Sequence, residues 1–331
     1  MTVLCLVEQD ADGPADASLR ALTFAARLAG AGPAGPVPVA AVLFGPADLV
    51  PGDVLAAYGT VSAHVIEPGH LDGYAPRAWA HAMAGLAAEV AATAVVAAAS
   101  DRGNEVMAYL GALTGLPMAA NCVQAEPDDD GTHHVVRHRW AGLLLEEASL
   151  TGSPALMTVA TEAVPAAPVA EPASALPVHP YAPSLDADDL RVRATEAAGH
   201  SSGASLATAR VVVGGGRGVG GPDGFAPLEE LASLLGGVVG VSRVVTSEGW
   251  RPHRQQVGQT GTKITPELYF ACGISGAIQH IAGCAGAKHI VVVNTDPGAP
   301  ILAHADYAIV GDLGEVIPAL VAALKARSGS A

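Results

Sequence analysis

Short runs rich in valine, isoleucine, leucine and alanine alternate along almost the whole chain with longer alanine-rich segments of helical composition. This alternation constrains the fold more than any other feature, because strands separated by helices must form a parallel sheet covered on both faces. In the first half, strands are expected at Val3–Val7, Val39–Phe44, His64–Ile66, Ala94–Ala98 and Ala119–Ala125. Helices are expected between them at Ala17–Ala29, Arg77–Val90 and Glu105–Leu113. Thr132–Val159 breaks the rhythm: His133–Trp140, Leu143–Glu147 and Ala155–Val159 read as extended pieces that add antiparallel strands. His133, His134 and His138 read as the solvated face of the first of these.

The segment Glu162–Pro183 holds Pro165, Pro168, Pro172, Pro177, Pro180 and Pro183. Proline at this density cannot sustain a helix or a central strand, so residues 162–187 are expected to be a semi-rigid linker. Leu190–Ala194 reads as one more strand. Beyond it the alternation resumes, with strands at Ala209–Val213, Val238–Val241, Leu268–Cys272, His289–Val293 and Tyr307–Val310. Helices are expected at Pro227–Leu235, Ala277–Ala282 and Val316–Ala326. A chain of 331 residues exceeds what one core usually serves. The expected fold class is therefore α/β in two domains. Residues 1–161 form a mostly parallel sheet with added antiparallel strands, and residues 188–331 a doubly wound α/β domain.

A net charge of −15 repels phosphate backbones and argues against nucleic acid as a partner. The most apolar stretch, Ala87–Ala99, contains Glu89 and is too short to cross a bilayer, so no membrane insertion is expected. The chain starts without a basic leader and runs directly into a strand, which leads to a cytoplasmic expectation. The four cysteines, Cys5, Cys122, Cys272 and Cys284, show no C-x-x-C spacing. They are expected to be reduced, buried thiols and not metal ligands.

Ligands of an open α/β sheet bind beyond the carboxyl ends of its strands. In the second domain those ends carry Gly214-Gly215-Gly216-Arg217-Gly218, Ser242-Arg243, Gly273-Ile274-Ser275-Gly276, Asn294-Thr295-Asp296 and Gly311-Asp312. Five such ends on one sheet edge describe a ligand crevice. Glycines let the backbone approach a phosphate, and Arg217 can add charge-assisted hydrogen bonds to it. Gly216, Gly218 and Gly221 fit G-x-G-x-x-G, a motif that a flexible turn also satisfies. An NAD site would want an acidic residue where Ser242-Arg243 stand, so the pattern disfavours NAD and leaves NADP open. Val257-Gly258-Gln259-Thr260-Gly261 is dense in donors. Ser275-Gly276-Ala277-Ile278-Gln279-His280 opens a helix and can present amides to an anion. These residues alone leave three classes open: an electron carrier, an NADP- or flavin-dependent oxidoreductase, and a nucleotide-binding regulator.

From Val211 to Leu320 the chain resembles the electron transfer flavoprotein alpha-subunit family almost without a gap. The resemblance is carried by Gly215-Gly216-Arg217-Gly218, Val241-Ser242-Arg243, Val257–Gly261, Pro266-Glu267-Leu268-Tyr269 and Gly273–His280. It continues through Asn294-x-Asp296-Pro297-x-Ala299-Pro300-Ile301, Ala305-Asp306-Tyr307 and Gly311-Asp312-Leu313. The first half is similar mainly in layout, around Gly111–Ala125. Thr295 and Leu302 stand where the family often has lysine and phenylalanine, and Thr262-Lys263 moves a common lysine by one place.

The resemblance implies an FAD-binding electron carrier without an organic substrate of its own. It implies a heterodimer with a beta subunit, held in part by the first domain. Electrons would come from acyl-CoA or other flavin dehydrogenases, as in fatty acid beta-oxidation, and pass to a quinone oxidoreductase. Arg217, Ser275 and the amides near Gly276 would hold the pyrophosphate. Asn294 and Asp312 would lie toward the adenosine. Ser242, Arg243, Gln259, Thr260 and His280 would surround the flavin ring and ribityl chain. Val257, Gly258, Ala277, Ile278, Gln279 and Leu313 would also contact the cofactor. Arg243 and His280 would favour a flavin that has gained an electron, and the Thr260 hydroxyl is suited to N5.

Overall fold

The computed structural model describes residues 1–10, 13–32, 35–67, 73–173, 175–194, 206–207 and 209–328. The chain divides into two compact units, Met1–His200 and Ser201–Ala331. The opening of the expected second domain at 195–205 lies outside the described residues.

The first unit runs β1 (Thr2–Leu6), a two-residue hairpin of β2 (Gln9–Asp10) and β3 (Gly13–Pro14), α1 (Asp16–Gly30) and β4 (Val39–Phe44). It continues through α2 (Gly52–Ala57), β5 (Thr60–Ile66), α3 (Pro76–Glu89), β6 (Ala92–Ala98), α4 (Asp101–Thr114) and β7 (Met118–Pro127). Then come β8 (His133–Arg139), β9 (Leu144–Leu150), β10 (Ala155–Val159) and β11 (Val178–Tyr181). A nine-stranded sheet has the order β11-β5-β4-β1-β6-β10-β7-β8-β9. Its core strands are apolar on both faces, as strands between two helical layers must be. Val3, Cys5, Val96 and Met157 pack on one side with Leu22 and Leu28 of α1. Leu4, Leu6, Val95 and Leu156 pack on the other with Met83 of α3 and Met107 of α4. Helix α4 begins one turn earlier than expected because Ser100 caps it, its Oγ accepting from the Gly103 amide at 2.8 Å.

Three expectations need correction. Ala155–Val159 is not an added antiparallel strand; β10 lies between β6 and β7 and pairs in parallel with both. All five of its residues are buried, the mark of an interior strand and not of an alternating edge. In the nine-stranded sheet the antiparallel pairing is added by β8 and β9. His133, read as solvated, is buried at the start of β8, whereas His134 is exposed. Leu190–Ala194 forms no strand: Asp186 and Asp189 exchange side-chain-to-amide hydrogen bonds of 3.0 Å and fold the backbone into a turn.

The described residues of 162–187, expected as a linker, are strapped across the first unit. The Ala167 amide donates to Thr23 Oγ1 at 3.0 Å, and the Val169 amide to the Ala57 carbonyl at 2.8 Å. Val178–Tyr181 then joins the sheet beside β5. Proline-rich backbone cannot fold on itself, but its free carbonyls and remaining amides can pair with neighbours. Pro180 is tolerated because β11 is an edge strand.

The second unit runs β12 (Val211–Gly215), α5 (Ala226–Leu234), β13 (Val238–Val241), α6 (Arg243–Ser247) and β14 (Leu268–Cys272). It ends with α7 (Ile278–Cys284), β15 (His289–Asn294), β16 (Tyr307–Val310) and α8 (Leu313–Ser328). All pairings in its five-stranded sheet are parallel, in the order β13-β12-β14-β15-β16. Strand residues alternate between two cores, Val212, Tyr269 and Val292 on one face, Val213, Phe270 and Val293 on the other. Because β13 and β14 flank β12 on opposite sides, the connections diverge between β12 and β14. That gap at the carboxyl edge is a topological switch point. Among the described residues no helix is long and apolar enough to cross a membrane. The four cysteines are free and buried.

One buried charge anchors the end of the first unit. Asp189, with a fully covered side chain, accepts from Arg77 Nε at 3.0 Å and lies 2.7 Å from His81 Nδ1. Burial would push its carboxyl up, but the Asp186 amide, His81 and Arg77 outweigh it and hold it below the usual carboxylate range. Losing these charge-assisted bonds in Asp189→Ala is expected to destabilise the first unit by about 1.5–3 kcal/mol in urea unfolding. A carboxyl depressed in the folded state stabilises above its unfolded value of roughly 3.9, and this is lost as pH falls through the folded value. Wild-type stability should therefore decline with acidification below about pH 4 more steeply than that of Asp189→Ala.

Candidate functional site

The switch point exists because two turns meet without side chains between them. Gly216 follows β12 and Gly273 follows β14; a Cβ on Gly216 would lie 2.2 Å from the Gly273 carbonyl oxygen. The Gly216 amide donates to the Cys272 carbonyl at 2.9 Å, and the Gly218 amide to the Gly273 carbonyl at 3.0 Å. The next turn carries Gly276 at φ 86°, where a side chain would strike the Ile301 backbone. These approaches open a cavity of about 480 Å³ at the carboxyl edge of the sheet. That size is ordinary for a small-molecule site.

The sheet delivers most of the expected residues to this cavity. Arg217 and Gly218 come from the end of β12, and Ser242 and Arg243 from the end of β13, where the Ser242 amide is fixed on the Gly215 carbonyl at 3.0 Å. Val257, Gly258, Gln259 and Thr260 form one wall. This wall is tied to β13 by the Val257 amide on the Val241 carbonyl (2.8 Å), and to the start of α7 by the Gln259 amide on the Gln279 carbonyl (2.8 Å). Ser275, Gly276, Ala277, Gln279 and His280 line a second side that adjoins this wall, and Asn294 completes the lining. Asn294 also braces that side, its Nδ2 donating to the Ile274 carbonyl at 2.8 Å.

Ile278, Asp312 and Leu313 do not line the cavity. Ile278 is 64% exposed. Asp312 caps α8, its Oδ1 accepting from the Gly314 amide at 2.7 Å, and Leu313 packs on the core around Phe225. Two further participants were not among the expected site residues, although Tyr269 belongs to one of the family phrases. Gln256, almost fully buried, accepts from Thr246 Oγ1 at 2.7 Å and donates to Thr260 Oγ1 at 3.0 Å, so it sets the Thr260 hydroxyl. Tyr269, completely enclosed on β14, lies 2.7 Å from His280 Nε2. What a buried glutamine and a tyrosine inside an apolar strand contribute becomes visible only when tertiary contacts are known.

The electrostatics are those of an anion site. The Arg217 and Arg243 side chains are exposed, line the cavity and make no ion pair among the described residues. What sets these two apart is their place, since both bring positive charge to one cavity in a chain of net charge −15. Burial also leaves Ser242 Oγ and His280 Nδ1 without partners among the described residues. An unsatisfied buried polar group costs about 1–3 kcal/mol, which a ligand that supplies the missing hydrogen bonds removes. Desolvation draws the His280 imidazole down to about 4, with the Val257 carbonyl pulling the other way, so the ring is neutral near pH 7. No cluster of metal-ligating side chains occurs among the described residues. Close-packed glycines, two unpaired guanidinium groups and unpartnered polar atoms match what a dinucleotide with a polar ring system requires.

Comparison with known proteins gives the same result over both units. The electron transfer flavoprotein domain matches residues 3–183, and the electron transfer flavoprotein FAD-binding domain matches residues 205–285. The chain is 38% identical over 328 residues to an electron transfer flavoprotein subunit alpha of Mycobacterium tuberculosis, covering 99% of each. It is 38% identical over 277 residues to that of Mycobacterium leprae, covering 84% of this chain and 85% of the relative. It is 36% identical over 274 residues to the protein FixB of Bradyrhizobium diazoefficiens, covering 82% and 74%. With the domain matches spanning both units and the relatives covering most of the chain, this protein belongs to the electron transfer flavoprotein family as an alpha subunit, and FAD is its cofactor.

Proposed function

We propose that the chain is the FAD-carrying half of a heterodimeric electron carrier. It pairs with a beta subunit, accepts electrons from acyl-CoA or other flavin dehydrogenases and passes them to an acceptor such as a quinone oxidoreductase. It turns over no organic substrate of its own. The observation that carries this reading is the pair of unpaired guanidinium groups, Arg217 and Arg243, facing a cavity whose only imidazole is neutral and tied to Tyr269. One carboxylate, Asp296, also lines the cavity, its Oδ1 accepting from the Gly298 amide at 2.8 Å. The nearby thiols of Cys272 and Cys284 are pushed up to about 12 by burial and offer no nucleophile.

Bound FAD supplies the one- and two-electron chemistry; the chain supplies binding, orientation and electrostatics. Arg217, Ser275 and the amides around Gly276 hold the pyrophosphate. Ser242, Arg243, Gln259, Thr260 and His280 surround the ring and ribityl chain, and Asn294 keeps the second side in place. A partner subunit is supported by exposed apolar groups at the turn between β8 and β9, where Trp140, Leu144 and Leu145 are 79%, 55% and 67% exposed.

Three outcomes follow. Co-expressed with its beta subunit, the chain is expected to purify as a yellow heterodimer that is reduced by a dehydrogenase. A lone chain that retains FAD tightly and turns over a small-molecule substrate would sink the carrier reading. Arg217→Ala should weaken FAD binding roughly ten- to a hundred-fold, the value of a charge-assisted hydrogen bond, with little change in the potential of retained FAD. Equilibrium dialysis and potentiometry measure both. Arg243→Ala should make the FAD potential more negative, because a fixed positive charge favours the flavin once it has gained an electron. For an exposed charge worth about 1 kcal/mol the shift is roughly 40 mV. A wild-type potential in that variant would remove Arg243 as the tuning charge.

A further inference from the structure

Tyr269 is enclosed in the core beside the cavity, and its hydroxyl has one hydrogen-bond partner among the described residues, His280 Nε2 at 2.7 Å. The adjacent strand β12 makes room for it: a Cβ on Gly214 would lie 2.3 Å from the hydroxyl oxygen. Burial pushes the phenol far above its ordinary value, so it keeps its proton. A buried O–H needs an acceptor, and the one in reach is the Nε2 lone pair. A neutral imidazole that accepts at Nε2 carries its own proton on Nδ1. The opposite assignment, Nε2–H donating to the phenol oxygen, strands the tyrosine proton with no acceptor. Nδ1 is the ring nitrogen without a partner among the described residues, and the ring lines the cavity. The Val257 carbonyl favours a proton on this ring without meeting the geometry of a hydrogen bond to Nδ1.

We propose that Tyr269 is a positioning residue that fixes His280 in its Nδ1–H tautomer, so that the histidine offers the cofactor a hydrogen-bond donor and not a lone pair. The role toward the cofactor rests on the reading of the cavity as the flavin site; the tautomer itself does not. A flavin gains acceptor strength along its carbonyl edge as it takes up electrons. A neutral donor held there favours the reduced forms, whereas a lone pair at the same place would oppose them.

The test is nitrogen NMR of the full chain, uniformly labelled at histidine, with and without FAD at pH 7. Wild-type His280 should be neutral and protonated on Nδ1 in both samples. Tyr269→Phe keeps the ring and removes only the hydroxyl. It should shift His280 toward the Nε2–H form that a free side chain favours, and it should make the FAD potential more negative. FAD affinity should change less than about tenfold, which a merely loosened core would not respect. Nε2–H or a doubly protonated ring in the wild type overturns the assignment without any variant having to fold. A Tyr269→Phe protein that keeps the wild-type tautomer and potential overturns the positioning role. His280→Ala separates the two layers: an unchanged potential there overturns the donor role and places the failure in the reading of the cavity, not in the tautomer.

Discussion

The second unit depends on one steric fact, the contact of two backbones at the carboxyl edge of its sheet. Gly216 and Gly273 touch with no side chain between them. That contact lets the turns after β12 and β14 interlock through amide–carbonyl bonds of 2.9 and 3.0 Å. It also determines what the neighbouring residues can do. Arg217 and Ser275 are carried on the two interlocked turns, so their separation is set by backbone and not by flexible side chains. A methyl group at Gly216 would part the turns before it touched any ligand.

Around this rigid point the polar groups divide into those satisfied within the chain and those left over. Gln256, Asn294 and Asp312 spend their hydrogen bonds on protein atoms and hold loops in place. Arg217, Arg243, Ser242 Oγ and His280 Nδ1 have no such partner among the described residues. The distinction separates the scaffold of the site from its contact surface. It also shows why Asp312, though part of a family phrase, sits away from the cavity: the phrase marks the start of α8.

Most of the second sheet was legible because each of its strands is a short apolar run stopped by glycine, serine or asparagine, and the stops are themselves the site. Val238–Val241, Leu268–Cys272 and Tyr307–Val310 match their expected limits residue for residue. The first unit was less legible where long-range pairing decides the outcome. The unbroken apolar run Ala155–Val159 suits an interior strand, but nothing local says that its neighbours are β6 and β7 or that it runs parallel to both. The turn at Asp186–Asp189 is closed by local bonds, but the partners that allow Asp189 to be buried there, Arg77 and His81, lie more than a hundred residues earlier. The roles of Tyr269 and Gln256 were hidden for the same reason: they lie in contacts with His280 and with Thr246 and Thr260, of which an apolar strand or a pair of glutamines gives no hint.

The position of β10 has a consequence for how the first unit is made. Until residues 155–159 are synthesised, β6 and β7 have no common neighbour and lack the pairing that β10 gives each of them. Strands β7, β8 and β9 can close their own local hairpins early, but the helices cannot seal one core over β6 and β7 before β10 joins them. The strand that joins them is synthesised after every strand it joins. A nascent chain stopped short of Ala155 would therefore leave β6 and β7 without this partner at the centre of the unit, where pairing with another chain is easiest. Cooperative closure of this unit must wait for a five-residue key, and its vulnerability to aggregation is concentrated in that interval of synthesis.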